Sequence, residues 1–271
     1  DRQHIVDASD DGEEWKDALK QATTIMADPS VEAILIMLGG NNVCANQGHD
    51  YTGDLELISA HIDDTLLFLT DALPLGGRIY WSGVLDVLQL HDLMRSRDHN
   101  FWFESCQGTW DLDDNKIRDE AANDLCDHFF SHSVCQLASA IEEAKDELMN
   151  LLFSRWLDLE GVEEGPCGKV LSSRSTSGDR AEALQFNLAL NQLMADKAAE
   201  YDGRNTVRVR FSDALFGAVI EPYMVSQLDC YHPSRAGQLA IAQTIWQGFA
   251  PAQPRSDSYY YDAFDNPDVC T

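Results

Sequence analysis

Val31-Glu32-Ala33-Ile34-Leu35-Ile36-Met37-Leu38 runs straight into Gly39-Gly40-Asn41-Asn42. A nearly continuous apolar run of strand length, broken only by Glu32, is the pattern of a parallel strand covered on both faces, and the glycine pair ends it. Upstream, residues 3–8 read as a short strand leading into the turn Ser9-Asp10-Asp11-Gly12. Glu13 to Ala27 then places Trp15, Ala18, Leu19, Ala22, Ile25 and Met26 at helical spacing, and Asp28-Pro29-Ser30 stops that helix. Strand, helix and buried strand make a βαβ unit, whose ligands bind beyond the carboxyl ends of the strands. Gly12 and Asn41 both fall at such ends.

The alternation continues downstream. Residues 54–73 place Leu55, Ile58, Ile62, Leu66 and Leu69 on one helical face, and Pro74 with Gly76-Gly77 closes it before a strand over 78–84. A long helix over 181–201, a strand over 206–211, and a last helix over 235–249 with Ser234 as its N-cap complete the order. The expected architecture is a single α/β domain, residues 1–271, with a mostly parallel sheet flanked by helices as a three-layer sandwich. Residues 95–180 interrupt it. They hold four cysteines, the aromatic run Phe101-Trp102-Phe103, predicted helices near 118–130 and over 134–159, and a polar tract from Ser172 to Gly178. This segment reads as a disulfide-stapled insertion, packed on the core or capping the crevice. Residues 251–271 read as an irregular C-terminal tail.

Nineteen Lys and Arg against 46 Asp and Glu leave a formal charge of -27, spread along the chain. Phosphate contacts need clustered cations, which argues against a nucleic-acid or anionic-membrane partner. No apolar run approaches the ~20 residues of a membrane helix. The seven cysteines form no C-x-x-C pair, so disulfides in an oxidising compartment explain them better than zinc, and a secreted or periplasmic location is expected. The odd count leaves one thiol without a partner in this stretch. Cys230 with Cys270 is one pairing that would tie the tail to the preceding turn, although spacing does not choose among pairings. Asp111-Leu112-Asp113-Asp114-Asn115 alternates oxygen ligands, but Lys116 stands where a calcium loop needs glycine, so no metal or other cofactor is expected.

The chemistry-bearing stretch is Asp229-Cys230-Tyr231-His232-Pro233-Ser234. A carboxylate three residues before a histidine can accept one imidazole N–H and leave the other nitrogen free as a base. Alone, such a spacing is also found in ordinary surface turns.

Taken in order, Val6 to Gly12, Gly39-Gly40-Asn41-Asn42 and Asp229 to Ser234 resemble the second, third and fifth blocks of the SGNH (GDSL-type) esterase/lipase family, and Cys44 and Cys230 resemble its cysteine-containing secreted and phospholipase-B-like members. The resemblance implies an SGNH, flavodoxin-like sandwich and a serine ester hydrolase. His232 would be the general base and Asp229 its orienting carboxylate. The Gly12 N–H and the Asn41 side chain would form the oxyanion hole. Asn42 replaces the family's usual aspartate, which supports the loop. The first block, a G-D-S supplying the nucleophile, has no counterpart here: Gly178-Asp179-Arg180 lacks the serine, Ser256-Asp257-Ser258 follows no strand, and the spacing of Ser9 assigns it to the second block. The first strand and its serine are therefore expected upstream, removed by processing, held as a separate piece, or outside this stretch. The rival expectation is a non-catalytic module of the same fold that binds a lipid, glycan or protein partner.

Overall fold

The computed structural model describes residues 5–9, 14–44, 51–95, 97, 106–110, 167–226 and 230–249. Among the described residues its sheet has three strands, β1 (Ala33–Ile36), β2 (Arg78–Ser82) and β3 (Arg208–Ser212), all parallel and in the order β1-β2-β3. The helices are α1 (Ala18–Ile25), α2 (Gly40–Val43), α3 (Tyr51–Ala72), α4 (Leu88–Met94), α5 (Cys106–Trp110), α6 (Gly168–Leu171), α7 (Ser177–Tyr201) and α8 (Arg235–Phe249), with a 3-10 turn over Trp15–Asp17 entering α1. Each parallel pair requires a helical crossover, which is the α/β arrangement that alternating strand and helix patterns predict.

Register sets which side chains form the core. Ile34 pairs with Ile79 and Ile79 with Val209, while Ile36 pairs with Trp81 and Trp81 with Phe211, so one face carries a continuous apolar layer. Ala18 and Ala22 of α1, Ile58, Ile62, Leu66 and Leu69 of α3, and Phe186, Leu190 and Met194 of α7 close over that layer. Each fully buried large side chain contributes roughly 1.5–3 kcal/mol. Thr176 starts α7 through a capping box, accepting the Asp179 N–H at 3.2 Å while its own N–H reaches the Asp179 carboxylate at 2.7 Å. The polar tract before α7 is a built turn, with Ser175 Oγ donating to the Gly168 carbonyl at 2.7 Å.

Three features differ from the sequence expectations. Coverage of β1 on both faces is not met among the described residues, since Leu35 is 57% and Met37 56% exposed. Among the described residues the outer face is packed where α8 crosses it, with Phe249 against Tyr80 at 5.3 Å and Ile245 beside Leu215. Residues 5–8 form no strand; Asp7 instead accepts both the Ser9 N–H at 2.9 Å and the Ser9 hydroxyl at 2.7 Å. Those bonds hold the Asp7 carboxyl below the usual carboxylate range and draw the backbone into a local turn. Finally, Cys230 is bonded to Cys106 and not to Cys270, while Cys44 is bonded to Cys167. The predicted helices near 118–130 and over 134–159, the Phe101-Trp102-Phe103 run and the tail over 251–271 lie outside the described residues.

Candidate active site

The carboxyl ends of the three strands meet the loops that carry the motif residues. After β1 the chain turns at Gly39, whose φ of +111° is left-handed and whose missing Cβ would lie 2.8 Å from Val84 Cγ2. Only glycine fits both conditions. Gly40, by contrast, has open space around its Cα. Asn41 is the second residue of α2 and half-buried, at the mouth of the β1 end of the sheet. Asn42 turns its Oδ1 to the backbone N–H of Trp15 at 3.3 Å, tying the loop to the start of the first helical segment. That bond needs an oxygen acceptor, which asparagine and aspartate both supply.

The second stretch is a closed turn. Val225 and Pro233 bridge as an antiparallel pair, the Ser226 N–H donates to the His232 carbonyl at 2.8 Å, and the Ser234 N–H donates to the Met224 carbonyl at 2.8 Å. Cys230 sits at a left-handed φ of 57° inside it. Ser234 Oγ accepts the Gly237 N–H at 3.1 Å and donates to the Tyr223 carbonyl at 2.7 Å, so one hydroxyl both caps α8 and fixes the turn. A Cβ on Gly237 would overlap the Met224 carbonyl, which shows how tightly the first turn of α8 presses on this loop. His232 is exposed, its ring edge-on to Tyr231 at 4.9 Å.

The two stretches, 187 residues apart at their contact, come together: Tyr231 Oη lies 3.1 Å from Cys44 Sγ. Cys44 is in a disulfide and has no proton to give, so the tyrosine donates. Cys44 follows Asn41 by three residues and Tyr231 precedes His232 by one. The bridges Cys44–Cys167 and Cys106–Cys230 reinforce the approach, because α5 and α6, the described ends of the inserted segment, are each fastened to one half of the site.

A third component went unread in the sequence. The loop after β2 is held by Asn187 and Asn191 of α7, which are buried. Asn191 Oδ1 accepts the Val84 N–H at 2.8 Å, its Nδ2 donates to Asn187 Oδ1 at 2.8 Å, and Asn187 Nδ2 donates to the Leu85 carbonyl at 2.9 Å. Buried amides satisfied in this way fix the loop beyond the point where the Gly83 N–H donates to the Ser212 carbonyl at 2.8 Å. The readable signal was two asparagines four apart on the stripe that also carries Ala183, Phe186, Leu190 and Met194. Asp86 follows in the same loop, accepting the Leu88 N–H at 3.1 Å, and burial pushes its carboxyl above the ordinary range. Gln89 then reaches across, its Nε2 donating to the Ala218 carbonyl at 2.9 Å and its Oε1 accepting the Ile220 N–H at 3.2 Å.

Of the four expected site residues, Asn41 in α2 and His232 in the turn before α8 stand on stretches joined by the Cys44–Tyr231 contact, and Gly12 and Asp229 lie outside the described residues. So does the Asp111 to Asn115 stretch. Among the described residues no group of three or more His, Cys, Asp or Glu is placed to hold a metal ion, and no helix is long and apolar enough to cross a membrane. No family model matches the chain, and no curated protein matches it significantly.

Proposed function

We propose that this protein is a serine ester hydrolase of the SGNH type, working in an oxidising extracytoplasmic compartment on a three-layer α/β/α scaffold. The observation that carries the reading is the Tyr231–Cys44 contact, which joins the asparagine loop at the end of β1 to the histidine turn before α8. Both stretches border the carboxyl ends of parallel strands, where such sheets bind ligands. In the proposed reaction a serine hydroxyl adds to the ester carbonyl while His232 takes its proton, and Asp229 steadies the imidazolium. The Asn41 amide and the Gly12 N–H receive the developing oxyanion. The proton on His232 then leaves with the alcohol. A water molecule, deprotonated by the same imidazole, adds to the acyl-enzyme, and the imidazolium returns that proton to the serine oxygen as the acid leaves.

The serine would come from a strand added to the open edge of β1. Among the described residues β1 pairs only with β2, so its other edge has no strand beside it there. A further parallel strand there would end next to Asn41. The encoded sequence upstream of Asp1 checks this, since a strand ending in G-D-S is expected.

A fluorophosphonate probe applied to the protein purified from its source, with any cleaved N-terminal piece retained, tests the reading. Covalent labelling that disappears in His232→Ala is expected. A properly folded protein that takes no label would instead favour a non-catalytic module that binds a lipid, glycan or protein partner through the same crevice.

A further inference from the structure

Immediately beside the histidine turn lies a half-open apolar pocket with a cavity volume of about 160 Å³. Leu85 comes to it from the loop after β2, Leu215 and Ile220 from the loop after β3, Met224 from the turn before the histidine, and Ala240 from α8. Tyr231 and Pro233, the two neighbours of His232, complete the wall on the candidate-site side. In a chain of net charge -27, no charged side chain lines this cavity among the described residues. Its hydroxyl groups are those of Thr244 and Tyr231, and the Tyr231 hydroxyl is engaged with Cys44 Sγ at 3.1 Å.

The space is also braced open. Gln89 holds the main chain of the far wall at two points, through the Ala218 carbonyl at 2.9 Å and the Ile220 N–H at 3.2 Å, so that segment does not fold inward over the gap. A concave, largely apolar pocket with few polar groups, beside a candidate site, is where a small apolar ligand binds. A cavity of roughly 150 Å³ lined by aliphatic side chains takes a six-carbon apolar molecule such as benzene. Sugars and phosphorylated headgroups would find almost nothing there to hydrogen-bond.

We infer that this cavity is the acyl-chain site, and that the substrates are esters of unbranched fatty acids of about six carbons rather than acetyl esters. The inference rests on the hydrolase reading for its catalytic part. The carbonyl would sit at the mouth, between His232 and Asn41, with the hydrocarbon chain running past Tyr231 and Pro233 toward Ala240.

Two measurements test it. The first is independent of turnover: 2-heptanone, which carries a hexanoyl group that cannot be hydrolysed, should raise the melting temperature of the wild-type protein, where acetone at equal concentration does not. Ala240→Phe, which fills the cavity, should abolish that shift. The second compares kcat/KM for p-nitrophenyl acetate, hexanoate and decanoate. Hexanoate should be preferred, the hexanoate-to-acetate ratio should fall on the order of 10-fold or more in Ala240→Phe, and Met224→Ala should move the preference toward decanoate. Preference that follows alkyl chain length only in a series of alkyl acetates would assign the cavity to the alcohol side and overturn the acyl assignment. Acetate hydrolysis that needs Asn41, with no 2-heptanone binding and an unchanged chain-length profile in both variants, would overturn the inference while leaving the hydrolase reading intact. Binding of 2-heptanone that Ala240→Phe removes, in a protein that cleaves no ester, would support the apolar-chain site while ending the hydrolase reading.

Discussion

Gly39 shows how much of the candidate site depends on a single residue. Its left-handed backbone and its closeness to Val84 mean that Gly39→Ala must accept both conformational strain and an overlap, together about 2–4 kcal/mol. Gly40→Ala, with open space around it, should stay within about 0.5 kcal/mol of wild type. Denaturant midpoints of the two variants check the contrast, and equal midpoints would mean that the turn after β1 is not built as described. Asp86 gives a pH-dependent test. Burial raises its carboxyl pKa, so the folded state holds that proton more tightly than the unfolded chain. This group's contribution to stability therefore falls as pH rises from the ordinary carboxylate range through the raised value, and stays lost above it. Asp86→Asn keeps an oxygen for the Leu88 N–H, so it should be more stable than wild type at neutral pH, and the difference should vanish on acidification. A stability difference that does not change with pH would contradict the assignment.

Elements explain why these loops hold their positions. The sheet supplies only three described strands, and the turn carrying His232 has a short antiparallel bridge in place of a sheet partner. Covalent links do the remaining work. The two bridges close loops of 123 and 124 residues, and losing a native disulfide of this kind costs about 2–5 kcal/mol. Replacing both Cys106 and Cys230 with alanine should lower the denaturant midpoint accordingly. It should also reduce ester turnover under conditions where the variant remains folded, because the histidine turn is no longer fastened to α5. A midpoint equal to that of the wild type would show that the bridge does not constrain the native chain. The Asn187/Asn191 pair plays the corresponding non-covalent role for the loop after β2, holding the backbone of Val84 and Leu85.

At the scale of the whole molecule, the elements were legible because burial imposes a period. The stripe at Ile58, Ile62, Leu66 and Leu69 and the apolar runs at Ile34–Ile36 and Ile79–Trp81 mark the inner layer, and Ser234 before Arg235 marks the start of the last helix. The exposure of Leu35 was not legible, because an apolar run does not say how many neighbours a strand has. Disulfide pairing was not legible either, since it depends on where distant loops meet rather than on spacing along the chain. The asparagine and histidine stretches could be singled out by residue type, but their approach through Tyr231 and Cys44 belongs to the fold alone. The same holds for the apolar cavity, whose walls come from the loops after β2 and β3 and from α8.

The most direct measurement is kcat for an activated ester in Asn41→Ala, using protein that carries the proposed upstream serine. Loss of an oxyanion donor predicts a fall of ~10²–10³ with the fold unchanged by circular dichroism. A kcat within about twofold of wild type, against the ~10²–10³ expected of a lost donor, would place the asparagine outside the chemistry and contradict the site proposed at the end of β1.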